Sequence, residues 1–247
     1  MSGSKRVEKE RLDVLLVKLG LAESREKAQA LVLAGQVRVE GERAQKPGHR
    51  VAAASRIEVV EGLPYVSRAG KKLEAALDHF QIDVRGRVCL DVGASTGGFT
   101  DCLLQRGALR VYAVDVGAGQ LDWRLRNDPR VVVREGINAR YLKLEDLGEP
   151  VELAACDVSF ISVTLILPAL ASVLRPEGEM VILVKPQFEV GRGQVGRGGI
   201  VRDPALHAAA CEKVESALHR MGFQTRLMES PVAGAEGNKE FLIYARH

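Results

Sequence analysis

The chain has 247 residues, of which 46% are hydrophobic, 27% charged and 4% aromatic. That composition excludes a disordered or fibrous chain and fits either one large α/β domain or a large domain with a small attachment. The formal net charge of +3 sits entirely in residues 1–62, which hold 12 Lys+Arg against 9 Asp+Glu, while the remainder balances at 23 against 23; so small a surplus fits a solvated face as well as a phosphate-binding one.

The opening MSGSKRVEKERLD sets no apolar segment beside its charges, so it reads as neither a secretory signal nor a lipidation site, and a cytoplasmic protein is expected. From Arg11 to Gly20, Leu12, Leu15, Leu16 and Leu19 recur at helical spacing, and Gly20 supplies a stop. Ser24 caps a second predicted helix with Ala28, Leu31 and Val32 on one face and Gly35 at its end. Val37 and Val39 then alternate with charged residues up to a turn at Gly41, and a strand pair closes with Arg56-Ile-Glu-Val-Val60. Residues 6–61 resemble the small RNA-binding domain first seen in the fourth small-subunit ribosomal protein. The resemblance implies phosphate contacts at Arg6, Arg11, Arg25, Lys27 and Arg38. That family usually has Asn where Glu40 stands, which implies that this turn touches RNA less closely.

Gly62-Leu-Pro-Tyr65 punctuates the chain, dividing it into residues 1–62, a linker at 63–66 and residues 67–247. Beyond the linker a helix is predicted from 67 to 80, then strands near 88–93, 110–115, 131–135, 153–158 and 179–185, separated by helices starting near 97, 119, 160 and 204. The last two strands, near 223–230 and 240–246, are joined by Ala233-Gly-Ala-Glu-Gly-Asn238, too short for a crossover helix, so an antiparallel hairpin is expected. The predicted fold is α/β: a doubly wound, mostly parallel, seven-stranded Rossmann-like sheet with one antiparallel strand, beside a small α+β N-terminal domain. Ligands of such sheets sit outside the carboxyl ends of the strands.

Val88-Cys-Leu-Asp-Val-Gly-Ala-Ser-Thr-Gly-Gly-Phe99 is an apolar strand running into a glycine-rich turn that opens a helix, whose free amides suit an anionic group. The spacing is not G-x-G-x-x-G. Asp91 stands directly before the turn, where it would repel a pyrophosphate and attract an ammonium group. Asp115, ending the second strand, is placed to accept hydrogen bonds from ribose hydroxyls. Together they describe S-adenosylmethionine, which carries an amino acid, a sulfonium and a ribose. Asp91, Gly93, Ser95, Thr96, Gly97, Gly98, Phe99 and Asp115 form the expected cofactor site. Asn138 is either beside the adenine or an ordinary turn residue.

The longest charge-free stretch, between Asp157 and Arg175, contains Pro168 and several hydroxyls and is shorter than the roughly 20 apolar residues of a membrane span. Cys89, Cys102, Cys156 and Cys211 lie far apart with no C-x-x-C pair, so no metal site and no disulfide framework is expected. Methyltransferases of exocyclic base amines usually carry D/N-P-P-aromatic after the fourth strand; here Asp157-Val-Ser-Phe160 lacks the prolines. A carbon methyltransferase needs a Cys nucleophile, yet strand alternation turns Cys156 to the core if Asp157 faces the cleft. The fifth strand ends in Leu183-Val-Lys185-Pro-Gln-Phe188, and a lysine there is costly unless paired or used.

With Ser67-Arg-Ala-Gly-Lys-Lys-Leu73, DVGASTGGFT, CDVSFIS, LVKPQFE and Asn238-Lys-Glu-Phe-Leu242, the chain resembles the TlyA proteins, once named haemolysin A and now regarded as rRNA 2'-O-methyltransferases. They are similar to the FtsJ ribose methyltransferases, whose Lys-Asp-Lys-Glu tetrad falls here on Lys72, Asp157, Lys185 and Glu240, with Lys71 the alternative for the first. The resemblance implies methylation of cytidine ribose in ribosomal RNA, in the large subunit and in some members the small one. It makes ribosomal RNA, within ribosomal subunits, the expected partner, with no membrane partner; a monomer is favoured. Glu189-Val-Gly-Arg-Gly-Gln-Val-Gly-Arg-Gly-Gly199 is either a loop closing over RNA through Arg192 and Arg197 or a plain flexible loop. Phe160 either stacks on a displaced base or opens a helix as a core residue. A pseudouridine synthase would need a catalytic Asp in a G-R-L-D setting, and Arg11-Leu-Asp13 occurs only inside the first helix. A non-enzymatic RNA-binding protein leaves the tetrad unexplained, and a membrane-lytic role lacks an amphipathic or spanning segment.

Overall fold

The structure, a computed structural model, describes residues 9–33, 35–60, 64–234 and 237–247. The chain divides between Leu63 and Pro64 into two compact units.

In the first unit, β1 (Lys9–Arg11) leads into α1 (Leu12–Lys18), followed by α2 (Arg25–Leu33), β2 (Val37–Val39), β3 (Glu42–Arg43), β4 (Arg50–Ala52) and β5 (Ile57–Val59). Leu12, Leu15 and Leu16 of α1 meet Ala28 and Val32 of α2, with Val37 and Val51 closing the core. Leu19 is half exposed, so the buried stripe ends a turn earlier than its spacing predicts. β2 is the centre of an antiparallel sheet ordered β3-β2-β5, and a separate β1-β4 pair, which the apolar pattern does not predict, joins Lys9–Arg11 to Arg50–Ala52.

The second unit runs α3 (Ala69–Phe80), β6 (Val88–Val92), α4 (Gly98–Gln105), β7 (Arg110–Asp115), α5 (Trp123–Arg126), β8 (Val131–Glu135), α6 (Leu144–Leu147), β9 (Val151–Cys156), α7 (Leu167–Val173), β10 (Leu174–Val184), α8 (Pro186–Glu189), α9 (Pro204–Arg220), β11 (Gln224–Glu229) and β12 (Phe241–Arg246). Its seven strands lie in the order β11-β12-β10-β9-β6-β7-β8, with β12 antiparallel to both neighbours. The expected hairpin is therefore present, and it closes an otherwise parallel sheet. Tyr65 is buried in this unit's core, and the Val66 N–H donates to Asp101, so both belong to it; Leu63 of the expected linker lies outside the described residues.

Two predicted helices differ. The one expected near 119 is only the four-residue α5, because Gly117 and Gly119 keep the chain in a turn until Asp122 caps the Arg124 N–H at 2.9 Å. The one expected near 160 begins at Leu167, because Phe160 holds a left-handed φ of 66°, which a helix cannot accommodate.

Side-chain alternation sorts the sheet into two cores. Val88, Leu90 and Val92, Ala154 and Cys156, and Met180, Ile182 and Val184 pack into one. Cys89, Val111 and Ala113, Leu153 and Ala155, Val181 and Leu183, and Leu242 and Tyr244 pack into the other, beneath Leu73, Leu77 and Phe80 of α3. Continuing that period of two places Asp91, Asp115, Asp157, Lys185 and Glu240 all on the α3 side, at one end of the sheet.

Candidate active site

A cleft follows from that geometry. β6, β7, β9 and β10 are parallel and end together, and β12 starts where they end. Val184 pairs with Phe241, so one further step sets Lys185 opposite Glu240. Gly93 lets β6 and β9 converge here: at φ 83°, a Cβ on it would lie 2.2 Å from the Asp157 carbonyl oxygen. Gly97, at φ 97°, opens α4, and a Cβ there would strike Leu125 at 2.3 Å.

Asp91 is fully buried. The Thr100 N–H and hydroxyl donate to its Oδ2 at 2.8 and 2.7 Å, while Oδ1 has no hydrogen-bond partner among the described residues. Burial pushes its carboxyl up to about 7, against the opposing Thr100 hydrogen bonds, and Asp157 and Asp115 push the same way. Asp91 lines a cavity of about 190 Å³ bounded by Gly93, Ser95, Thr96, Gly98 and Phe99 and closed by Asp157 and Lys185. An ammonium donor fits it.

Gly93, Ser95 and Asp157 also border a second cavity of about 470 Å³, whose far wall holds Asp115 and Asn138. Asp115 accepts from the Ser95 N–H (2.8 Å) and the Gly117 N–H (2.7 Å), which fix its carboxylate and leave each oxygen a free lone pair for a hydroxyl. Asn138 caps the turn at the Arg140 N–H, 3.1 Å away, and still lines the cavity, so the two readings of it are compatible.

On the other side lies a cavity of about 630 Å³ that contains Lys72, Lys185 and Glu240. Lys72 Nζ donates to Glu240 Oε2 at 2.5 Å with both side chains nearly buried. Lys71 is exposed, because Lys72 shares the helix face of Leu73, Ala76 and Phe80 and Lys71 does not. Lys185 Nζ lies 2.6 Å from Asp157 Oδ1, a charge contact without hydrogen-bond alignment, and donates to Ser159 Oγ at 2.8 Å. Two lysine–carboxylate pairs thus border one cleft. Cys156 faces the opposite core, where burial holds its thiol protonated.

Sequence reasoning missed three polar groups here. Ser159 borders all three cavities; its place beside Asp157 in the D-V-S-F turn was the only available signal. Asn238 is buried: its Oδ1 accepts from the Val201 N–H (3.0 Å) and its Nδ2 donates to the Gly199 carbonyl (2.9 Å), anchoring the end of the glycine-rich segment. Glu189 is the third, buried beneath the turn of Phe160. Phe160 itself is 92% exposed, not a core residue, and borders the second and third cavities. Arg197 is exposed; Arg192 lies in the same segment, its side chain outside the described residues.

In the first unit, Lys27 and Arg38 are exposed, and Arg6 lies outside the described residues. Arg11 and Arg25 are half exposed and tied to one carboxylate: both Nε atoms donate to the fully buried Asp13, each at 3.0 Å, and Gln29 adds a bond at 2.9 Å. The Arg11 hydrogen bonds hold the Asp13 carboxyl well below the usual range despite its burial. Glu40 adopts φ 52°, and its carboxylate accepts the Arg56 N–H at 2.8 Å, which ties the turn internally.

Residues 65–247 match the FtsJ-like methyltransferases, and residues 10–57 match the S4 domain. The 16S/23S rRNA (cytidine-2'-O)-methyltransferase TlyA of Mycobacterium tuberculosis is 48% identical over 239 residues, covering 96% of this chain and 89% of that one. The 23S rRNA (cytidine-2'-O)-methyltransferase TlyA of Campylobacter jejuni is 37% identical over 182 residues, covering 73% and 70%. A solved structure described as a hemolysin of Streptococcus thermophilus superimposes with a TM-score of 0.75 at 48% identity, over 97% of this chain and 89% of that one. By the match over residues 65–247, and by 48% identity to a TlyA protein across 96% of its length, the chain belongs to the FtsJ-like methyltransferase family, alongside the TlyA proteins.

Proposed function

We propose that this protein transfers a methyl group from S-adenosylmethionine to the 2'-hydroxyl of cytidine in ribosomal RNA, in the large subunit and, like its Mycobacterium tuberculosis relative, in the small one. The observation that carries this reading is the meeting of Lys72–Glu240 and Lys185–Asp157 at one cleft beside the half-satisfied carboxylate of Asp91. The cofactor, when bound, supplies an electrophilic methyl on a sulfonium. Asp91 would receive its ammonium and Asp115 its ribose hydroxyls. Asn138 would sit near the base, and the backbone from Gly93 to Phe99 would enclose the amino-acid end.

A ribose hydroxyl is a poor nucleophile, so the protein must hold its oxygen in line and stabilise the charge that develops as the proton leaves. Of the three Lys185 donors, Ser159 engages one among the described residues and Asp157 lies in charge contact, which leaves N–H capacity for that oxygen. Asp157 and Glu240 orient the lysines, and Lys72 adds positive potential. Phe160 offers a face to the base, and Arg197 and Arg192 meet the backbone. Mapping 2'-O-methyl groups in both rRNAs from cells with and without the gene tests the reading; identical maps would refute it.

The titration of Asp91 sets a pH dependence. Its raised pKa means that the free protein holds the proton up to about pH 7, whereas an ammonium ligand favours the ionised form. Cofactor affinity measured by calorimetry is therefore expected to rise from pH 6 to pH 8 and then level, with uptake of ligand releasing a proton near pH 7. Asp91→Asn should weaken binding and flatten the curve; an unchanged slope would place the ammonium elsewhere.

The first unit is the RNA-recruiting module on this reading. Deleting residues 1–62 should lower affinity for ribosomal RNA and reduce the salt slope, since phosphate contacts at Arg11, Arg25, Lys27 and Arg38 are lost. The remaining unit has its own two-sided core and should still fold and bind cofactor. Unchanged RNA affinity and salt slope would assign this module to another partner.

A further inference from the structure

Phe160 combines two unfavourable features. Its ring is 92% exposed, and its backbone sits at φ 66°, a conformation that a residue with a Cβ keeps only where its surroundings impose it. On the upstream side, the Asp157 N–H donates to the Val92 carbonyl at 2.9 Å, which fixes the turn to β6. On the downstream side a buried carboxylate binds two consecutive residues of the turn. Glu189, at the end of α8, accepts the Val163 N–H on Oε1 at 2.7 Å and the Ser162 hydroxyl on Oε2 at 2.5 Å.

That carboxylate is 2% exposed and pairs with Lys213 of α9 at 3.0 Å. Lys213 also donates to the Glu189 carbonyl at 2.7 Å and to Ser162 Oγ at 3.2 Å, so strand end, turn and helix are closed into one clasp. Phe188, next to Glu189, sets its ring 5.3 Å from that of Phe160 in a tilted arrangement. Glu189 lies four residues beyond Lys185, so the clasp joins the backbone that carries the central lysine to the turn that carries the exposed aromatic. Burying a carboxylate is costly unless it is fully bonded, and this one spends every bond on the same turn and its support.

We infer that Glu189 is a positioning residue: through Ser162 and Val163 it holds Phe160 out into the cleft as a platform on which the base of the target nucleotide stacks. The inference rests on the proposed RNA substrate. Its prediction is that Glu189 acts on RNA through Phe160 and not through the lysines.

The test is a double-mutant cycle in the full-length protein, with Glu189→Gln and Phe160→Ala made singly and together and methyl incorporation into a ribosomal RNA transcript measured at saturating cofactor. Phe160→Ala should lower kcat/KM for RNA about tenfold, the scale of one lost base stack. Glu189→Gln keeps the side-chain shape but loses the charge pair with Lys213; it should lower kcat/KM about three- to tenfold. The double variant should be no worse than Phe160→Ala alone, because the two act as one unit. Ser162→Ala, a milder cut of the same clasp, should show the same non-additivity and covers the case in which Glu189→Gln fails to fold. Losses that multiply in the double variant, or a Glu189→Gln enzyme with wild-type kcat/KM, would overturn the inference. A neutral Phe160→Ala would also overturn it while leaving methyl transfer standing, whereas absence of any rRNA methylation by the wild-type protein would remove the proposed function itself.

Discussion

Lys185→Ala is expected to reduce methyl transfer at least about 100-fold, the usual consequence of removing a positioned charge-stabilising or proton-transfer group. Affinity for S-adenosylmethionine and for RNA should change little. The lysine stands one residue beyond the end of β10, an interior strand that pairs with β9 and β12 on its two sides and so fixes where the lysine emerges. Its side chain is 12% exposed and reaches Asp157 and Ser159, which leaves little freedom for the ammonium to wander from the cleft. Without it, Asp157 faces the cavity as an uncompensated anion and opposes the charge that develops on the acceptor oxygen. Lys185→Arg should not restore the rate, because a planar guanidinium cannot occupy the space of an ammonium and cannot give up its proton. Radiolabel incorporation into ribosomal RNA reads the result. A near wild-type rate for the alanine variant would reduce Lys185 to a structural ion-pair partner.

Glu240→Ala should damage stability as well as activity. Lys72 and Glu240 are 10% and 2% exposed at the side chain and 2.5 Å apart, so removing the carboxylate strands a buried ammonium. Breaking such a pair from one side costs about 3–5 kcal/mol, whereas replacing both charges with apolar side chains of similar volume is often neutral or stabilising. Lys72→Met combined with Glu240→Leu is therefore expected to recover most of the denaturant midpoint lost in Glu240→Ala, yet to remain inactive. The divergence of the two readouts is the point of the test. If the double variant regains methyl transfer together with stability, the pair only fills the core beneath α3 and has no part in the reaction.

Much of the large unit was legible because its signals are local. The strand of Val88–Val92 with its glycine turn, the alternation that separates Cys156 from Asp157, and a hairpin loop too short for a crossover each need only a few neighbouring residues. Chain periodicity then determines which residues share a face, and that alone aligns Asp91, Asp115, Asp157, Lys185 and Glu240 on the α3 side of the sheet. Other features depend on partners far away in the chain. The partner of Lys72 is 168 residues distant, and that contact, with the helical phase of α3, distinguishes it from Lys71. Asp13 ties Arg11 to Arg25 across two helices, so two basic residues that read as independent phosphate contacts form one cluster that shares a carboxylate and keeps a single net positive charge. The helix expected near 160 gave way to a left-handed turn because Glu189 and Val92 bond the residues around Phe160 from opposite sides, and no propensity within the turn reveals either bond. Short-range periodicity in the sequence determines strands, faces and candidate charges; which charges meet, and which aromatic remains exposed, is decided by long-range contacts that exist only once the sheet has closed.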